Sequence, residues 1–240
     1  AAMLEMVDRY SCTNVHLVPT QMKRLLDLPD SVKESFSGNS LSTVWHGAAP
    51  CPPAVKRGLI EWWGPKITEY YGSTEGSIIS TVSSKDWLAK GGSVGKPLET
   101  VEVIIVDDAG ARVPKGSPGT LYFKNKMGND FTYHNDEAKT RESHLEPGVF
   151  TTGDIGYLDA DGFLWLSDRK IDMIISGGVN IYPAEIEGVI AALSEVEDVA
   201  VIGVPDEEFG ESVKALVQLA DGIIASPEIS EIIIKHCREF

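Results

Sequence analysis

The residues best suited to chemistry form one short cluster. The stretch YYGSTEGS, Tyr70 to Ser77, places two aromatic rings, several hydroxyl groups and one carboxylate within eight residues. It overlaps the apolar run KITEYY, Lys66 to Tyr71, which is typical of a β-strand. Side chains at a strand end project into the crevice above an α/β sheet, where ligands bind. The cluster therefore indicates a ligand site at a strand end, without identifying the ligand.

Elements with clear sequence signals surround this cluster. PPAVKRGLIEWWG predicts a helix before the strand, with Pro53 in its first turn and Gly64 beyond its end. Three β-like runs separated by turn sequences predict a β-rich subdomain: TVEVIIVDD, GTLYFKN and GFLWLSD. After Lys170, a strand, a helix, two strands and a helix predict an α+β lobe with two helices covering one face of a small sheet. The expected fold class is α/β.

Composition and charge narrow the class of protein. The chain has 240 residues, 42% of them hydrophobic, which is enough for one or two domains. Its net charge of −15 argues against a nucleic-acid partner, because phosphate contacts need clustered Lys and Arg. Residues 171–240 hold 3 basic and 14 acidic side chains, a contrast that predicts a domain boundary near residue 170.

The sequence also bears on location. No apolar run approaches the ~20 residues that cross a bilayer, and the N-terminus lacks the basic and then apolar pattern of a signal peptide. The three cysteines, Cys12, Cys51 and Cys237, are widely spaced and odd in number, which favours a reducing compartment over a disulfide framework or a zinc site. We expect a cytoplasmic protein without a transmembrane segment, and the sequence leaves its oligomeric state undetermined.

Four sequence islands occur in a fixed order, and together they carry more information than any one of them. They are HGAAP (46–50), YYGSTEG (70–76), TGD (152–154) and DRKIDMIISGGVNIYPAEIE (168–187). Their order and spacing resemble the adenylate-forming superfamily, which contains acyl-CoA synthetases, beetle luciferases and the adenylation domains of nonribosomal peptide synthetases. The fourth island looks most like that of the fatty-acid and other carboxylic-acid CoA ligases.

The resemblance implies an architecture and a reaction. Residues 1–170 would form the latter part of the large AMP-binding domain, an α/β sheet plus a β-rich subdomain, and residues 171–240 an incomplete, mobile α+β C-terminal domain. In the family, a carboxylate attacks the α-phosphate of ATP and releases pyrophosphate. After rotation of the small domain, the CoA thiol attacks the acyl-adenylate and releases AMP. The implied small molecules are a carboxylic acid, ATP or AMP, Mg²⁺ and CoA as co-substrate.

The resemblance also assigns the site residues. The residues expected to contact the nucleotide are Gly47, Ala48, Ala49, Tyr71, Gly72, Thr74, Asp154 and Arg169. The CoA arm is expected to pass along Gly177 and Gly178.

The chemistry of these residue types supports the assignment. The Glu75 carboxylate is a natural ligand for Mg²⁺, a hard cation that binds carboxylate and substrate phosphate together. Thr74 offers a hydroxyl to the α-phosphate, and Tyr71 offers a flat face to adenine. The small residues 47–49 let the backbone approach a purine edge. Asp154 suits the ribose hydroxyls, and Arg169 donates to the ribose or its phosphate.

Three positions depart from the family pattern. Ile171 stands where Lys or Asp commonly forms the hinge of the domain rotation, so a hinge here would lack electrostatic assistance. Glu69 stands where many relatives have Gln or Asn, which leaves its nucleotide contact open. His46 occupies a position often held by Ser beside the acyl pocket, and we favour a packing role for it.

Two family features are missing from the sequence. There is no Ser/Thr/Gly-rich loop ending in Pro-Lys-Gly, and the Lys that bridges carboxylate and phosphate near the C-terminus is absent, because Lys235 comes before its expected place. We therefore expect a fragment with little activity by itself, because oriented charges in such sites are each worth ~10²-fold or more.

Alternatives remain open at this point. The acyl acceptor could be a carrier protein instead of CoA, or the chain could be a noncatalytic nucleotide-binding module. The acid is poorly encoded. Val44, Trp45 and His46 suggest a bulky, mixed wall of the acyl pocket, which suits fatty acids, aryl acids and sterol side chains almost equally.

Overall fold

The computed structural model of the chain describes residues 1–169 and 172–239, without the side chains of residues 168 and 169. The chain divides into two compact units, one formed by Ala1–Thr152 with Gly156–Leu166, the other by Gly153–Ile155 with Ser167–Phe240. The hinge expected at Ile171 and the boundary expected near residue 170 fall at residues outside this description, so both stay predictions.

The first unit contains a sheet in the order β1-β2-β3-β4-β5. Its strands are β1 (Asn14–Leu17), β2 (Thr43–His46), β3 (Ile67–Ser73), β4 (Ser77–Ser83) and β5 (Lys96–Pro97). The first three strands are parallel, and β4 and β5 pair antiparallel with their neighbours. The helices of this unit are α1 (Ala2–Arg9), α2 (Pro19–Leu26), α3 (Asp30–Ser35), α4 (Pro53–Trp63), α5 (Ser84–Ala89) and α6 (Glu137–Glu142). The strand expected over KITEYY is confirmed as β3.

Helix α4 connects β2 to β3 and covers the sheet. It begins at Pro53, whose missing N–H costs nothing in a first turn, and ends at Gly64, which has a positive φ of 82°. Its buried residues Leu59 and Trp63 pack in one core with Met22 of α2 and with Val44 of β2. The helix predicted from PPAVKRGLIEWWG is therefore confirmed at both ends.

A second sheet, most of whose residues lie in the first unit, is the predicted β-rich subdomain. Its strands are β6 (Val101–Val106), β7 (Gly119–Asn125), β8 (His144–Glu146), β9 (Val149–Phe150), β10 (Asp154–Leu158) and β11 (Leu164–Arg169). They run in the order β11-β10-β7-β9-β8, with β6 paired to β7. Leu121, Phe123, Phe150 and Leu164 form its buried core.

The second unit is a small α+β domain, as expected. Its sheet has the order β13-β12-β15-β14, from β12 (Ile174–Ser176), β13 (Val179–Ile181), β14 (Val196–Asp206) and β15 (Gly210–Leu219). Helices α7 (Pro183–Ile190) and α8 (Pro227–Glu239) contribute Ile190 and Ile233 to a core with Ile174 and Val201. The α/β fold class is confirmed. Every helix in the described ranges is too short or too polar to cross a membrane.

A buried ion pair joins α4 to β3. The Lys56 side chain is 0% exposed, and its Nζ donates to Glu69 Oε2 at 2.5 Å while lying 4.8 Å from the centre of the Trp87 ring. His46 lies beside the pair, with Nε2 at 3.9 Å from the same carboxylate oxygen. Burial, together with the charge of Lys56, lowers the pKa of His46 to about 3, so the imidazole is neutral. The Glu69 carboxylate is therefore paired with Lys56 in the interior of the protein.

Breaking this pair should destabilise the first unit. Lys56→Met leaves the Glu69 carboxylate buried without a counter-charge, which typically costs about 3–5 kcal/mol. Urea unfolding measures the change, and the double variant Lys56→Met, Glu69→Leu should regain much of the loss. Lys23→Met is the matched control, because Lys23 pairs with Asp27 at 4.0 Å on the surface, where the loss is under about 1 kcal/mol. Equal losses in the two single variants would contradict this assignment.

Candidate active site

The loop after β2 and the strand β3 meet at Gly47. A Cβ atom at this position would lie 2.7 Å from both the ring and the carbonyl oxygen of Tyr70, so only glycine fits. The next residue, Ala48, has a φ of 71°, which side-chain-bearing residues rarely adopt. Ala48 and Ala49 are exposed, whereas Gly47 is buried. The close packing of Tyr70 therefore explains why residue 47 is glycine, independently of the predicted approach to a purine.

The sheet separates the residues around this loop between its two faces. Val44 and His46 are both 0% exposed on the face that α4 covers, so neither side chain is placed to form the suggested wall of an acyl pocket. The packing role favoured for His46 agrees with this burial. Trp45 alternates to the other face and is partly exposed. There Tyr70 also pairs with His16, with 2.9 Å between the hydroxyl and Nε2.

The chemical cluster forms the turn of a β-hairpin. Strand β3 ends at Ser73, residues 74–76 form the turn, and β4 begins at Ser77. The Gly76 N–H donates to Ser73 Oγ at 2.9 Å inside the turn. A Cβ atom on Gly72 would lie 2.1 Å from the Ser77 carbonyl oxygen, so this hairpin requires glycine there. The predicted strand end is correct, but the return strand β4 was not predicted.

Glu75 is held as an anion in this turn. Its Oε1 accepts a hydrogen bond of 2.9 Å from the Tyr133 hydroxyl. Burial raises the pKa of Glu75, but hydrogen bonds from its own amide, Tyr133 and Ser73, with the charge of Lys139, outweigh burial and lower it. Burial and the Glu75 carboxylate raise the pKa of Tyr133, so its hydroxyl stays a donor. Thr74 is exposed beside this carboxylate.

This arrangement fits a magnesium ion that is shared with substrate phosphates. In the described ranges, no three His, Cys, Asp or Glu side chains lie together in a way that could hold a metal. Mg²⁺ rarely uses such all-protein cages and is usually bound by one or two carboxylates together with phosphate oxygens. A single ionised carboxylate at an accessible turn, next to the Thr74 hydroxyl, meets that requirement.

Tyr71 is placed between the turn and the second sheet. Its ring is partly exposed and lies edge-on to Phe123, with 6.0 Å between the ring centres. One edge of the ring is therefore fixed by the core, which suits the flat face that the sequence analysis expects for adenine.

The segment that supports Glu75 was not predicted from the sequence. Residues 130–148 carry Tyr133 and a hydrogen-bonded pair in which Asp130 Oδ1 and His144 Nε2 are 2.8 Å apart. His144 Nδ1 also contacts the Thr140 carbonyl oxygen at 2.6 Å. A tyrosine in the polar run FTYHNDEAKTRES and the helix-capping Asp136 are visible signals. Neither signal indicates a partner 58 residues earlier in the chain.

The remaining predicted residues belong to the second unit. Asp154 opens β10 and is 8% exposed. Arg169 is the last residue of β11, and its side chain is outside the described part of the structure. Gly177 and Gly178 form the two-residue turn between β12 and β13, with φ of 55° and 81°. Turns of this kind need positive φ at both positions, which explains the glycines locally. The predicted CoA passage stays a prediction.

Comparison with known proteins identifies the family. The model of the AMP-binding enzyme family matches residues 1–128, and that of the AMP-binding enzyme C-terminal domain matches residues 185–240. The first match covers more than half of the chain, so the chain belongs to the AMP-binding enzyme family, the adenylate-forming enzymes that the four islands resemble.

Individual relatives share this fold at about one-third identity. A medium/long-chain-fatty-acid–CoA ligase of Mycobacterium tuberculosis is 34% identical over 228 residues, which cover 91% of this chain and 38% of the relative. The amide bond synthetase McbA of Marinactinospora thermotolerans, solved as a K483A mutant, is 33% identical with a TM-score of 0.89, covering 99% of this chain and 48% of that one. The o-succinylbenzoate CoA synthetase of Bacillus subtilis, solved with ATP and magnesium, is 31% identical with a TM-score of 0.82, covering 99% and 47%. The chain spans less than half the length of each.

The hairpin turn should tolerate no side chain at Gly72. Gly72→Ala forces a methyl group onto the Ser77 carbonyl and should lower the free energy of unfolding by about 1–3 kcal/mol. Gly91→Ala is the control, because the nearest atom to its new Cβ would lie at 3.8 Å. Urea unfolding should show a change within about 0.5 kcal/mol for Gly91→Ala. Equal stability of the two variants would mean that the hairpin relaxes around the methyl group.

The pair of Asp130 and His144 should make stability pH-dependent. Burial lowers the pKa of His144, but Asp130 and the Thr140 carbonyl outweigh burial and raise it above its ordinary value. The stabilisation is therefore complete below the unfolded pKa of about 6.5 and is lost as the pH rises through the folded pKa. Melting temperatures of wild type and His144→Gln should differ most below about pH 6.5 and converge in alkali. A difference that grows with pH would refute the assignment.

Proposed function

We propose that the chain contributes the nucleotide and magnesium site of an enzyme that activates a carboxylic acid with ATP and transfers the acyl group to CoA. The observation that carries the proposal is the ionised Glu75 carboxylate, held by Tyr133 in the turn between β3 and β4. The CoA ligases named among the relatives support it. Because the chain spans less than half of those relatives, the proposal concerns the product of the complete gene that encodes it.

The proposed reaction has two balanced steps. A carboxylate oxygen of the acid bonds to the α-phosphorus of ATP, and the bond from that phosphorus to pyrophosphate breaks. The CoA sulfur, having lost its proton, then bonds to the acyl carbon, and AMP leaves with the bridging oxygen. Bound magnesium supplies positive charge that offsets the repulsion between the two anions.

Each proposed site residue would bind a different part of the substrates. Glu75 would hold the metal, and the Thr74 hydroxyl would donate to an α-phosphate oxygen. The Tyr71 face would stack on adenine beside residues 47–49. Gly72 allows the close approach of the two strands of the hairpin next to Tyr71. Asp154 would accept from the ribose hydroxyls and Arg169 would donate to the ribose or phosphate. Gly177 and Gly178 would border the path of the CoA arm.

The acid and the acceptor are the finer parts of the proposal. We favour a fatty acid, since the Mycobacterium tuberculosis relative is a fatty-acid ligase, although the Bacillus subtilis relative acts on an aryl acid by its name. For the acceptor we favour CoA over a carrier protein. An amine acceptor is a second candidate, because the amide bond synthetase matches this chain with a TM-score of 0.89.

One assay on the complete gene product tests the reaction and separates these acceptors. ATP–pyrophosphate exchange with a panel of fatty and aryl acids reports adenylation, and product analysis with CoA or with amines reports transfer. We expect exchange with at least one acid and a thioester product. An amide without a thioester would favour the second candidate. AMP binding without exchange for any acid would favour a noncatalytic nucleotide-binding module.

The metal role of Glu75 predicts a specific loss. In the complete gene product, Glu75→Gln keeps the shape and removes the charge, so pyrophosphate exchange should fall by ~10²-fold or more. Thr74→Val should act more mildly, because only a neutral donor is lost. Glu99→Gln, an exposed carboxylate on the same unit, is the control and should match the parent. Parental exchange in Glu75→Gln would show that the metal role is wrong.

A further inference from the structure

We infer that Tyr133 is a positioning residue, whose hydroxyl holds the Glu75 carboxylate in the orientation that binds magnesium together with ATP. The inference rests on the proposed function, because it assigns a role to a side chain that touches the proposed metal ligand and not the substrate.

The contact itself is direct and specific. The Tyr133 hydroxyl donates to Glu75 Oε1 at 2.9 Å. An ionised carboxylate offers about four acceptor positions, and this hydrogen bond uses one of them. Mg²⁺ demands near-ideal octahedral geometry. The direction in which the carboxylate points therefore matters more for this ion than for a more tolerant cation.

Tyr133 is itself held in place by its neighbours. Its backbone N–H donates to Thr140 Oγ1 at 2.9 Å. Its ring lies edge-on to Phe131, with 5.1 Å between centres, and Lys139 Nζ sits 4.2 Å from the ring centre. Asp136 caps helix α6, which carries Lys139 and Thr140, by accepting from the Lys139 N–H. The hydroxyl is thus presented from a fixed ring, as a positioning role requires.

The segment and the turn also share a common support. Phe131 packs edge-on against Phe150, with 5.0 Å between ring centres. A Cβ atom on Gly76, next to Glu75, would lie 3.1 Å from the same Phe150 ring. The donor and the acceptor of the hydrogen bond are therefore both fixed to one ring of the second sheet. Lys139 adds a positive charge near the carboxylate before any metal arrives.

A purely structural tie between the two loops is the competing explanation, and the two make different predictions. A structural tie affects every ligand of the turn alike, with or without metal. A positioning role affects the magnesium-dependent part of ATP binding and spares metal-free AMP binding. It is also reversible, since a higher magnesium concentration compensates for a badly oriented ligand.

The test is a titration of the complete gene product with ATP at increasing MgCl₂ and with AMP in EDTA, by calorimetry. In Tyr133→Phe the magnesium concentration for half-maximal ATP binding should rise about tenfold, the size of one hydrogen bond to a charged group. AMP affinity and melting temperature should change little, and excess magnesium should restore ATP binding. Tyr122→Phe is the control, because Tyr122 is a partly buried tyrosine of the same unit that packs in an apolar cluster.

The outcomes separate this inference from the proposed function. If Glu75→Gln abolishes magnesium dependence but the Tyr133→Phe midpoint matches the parent, the positioning role is overturned and the metal role of Glu75 stands. If Tyr133→Phe weakens AMP and ATP binding equally and excess magnesium restores neither, the residue is a structural tie. If the parent binds ATP equally with and without magnesium, the metal role of Glu75 fails and the positioning role fails with it.

Discussion

The parallel pairing of β2 with β3 determines where the two loops of the candidate site lie. Trp45 and His46 pair with Thr68 and Glu69, so the residues that follow each strand emerge side by side at one edge of the sheet. The HGAAP loop and the YYGSTEG turn are thereby brought together although α4 separates them in sequence. The Lys56–Glu69 pair fixes α4 to the same strand pair from beneath. A change in register here would move both loops relative to each other.

Close backbone contacts then shape the site on that foundation. A side chain at position 47 would collide with Tyr70, so glycine is required there. A side chain at position 72 would collide with the carbonyl oxygen of Ser77 in the returning strand. These two contacts constrain the backbone of both loops, and preorganised groups stabilise developing charge at little cost. The carboxylate of Glu75 receives its orientation from outside the hairpin, through the fixed ring of Tyr133. The backbone of the site and the orientation of the Glu75 carboxylate are therefore determined by different parts of the chain.

The sequence predicted the helices and strands that are determined by interactions between residues close together in the chain. Pro53 and Gly64 mark the ends of α4, and the alternating run KITEYY marks β3, because capping and alternation act within a few residues. The return strand β4 was missed because its polar run SIISTVS lacks a strong alternating pattern, and its pairing partner lies across the turn.

The site was predictable in its residue types more than in its contacts. Glu75 and Thr74 stand out by chemistry and by the family resemblance. The hydrogen bond from Tyr133 and the ion pair from Lys56 join residues far apart in sequence, and only the tertiary fold brings them together. The packing role favoured for His46 follows from strand alternation, which turns its neutral ring into the core beside Glu69.

The central claim is that the ends of β2 and β3 form one adenine-nucleotide site. Hydrogen–deuterium exchange of the complete gene product, with and without saturating AMP, is the sharpest test. Binding of AMP at this site should slow exchange in peptides covering residues 46–50 and 70–77 together, with β6 unchanged as the internal reference. Unchanged exchange in both peptides at saturating AMP, with protection only elsewhere, would contradict it.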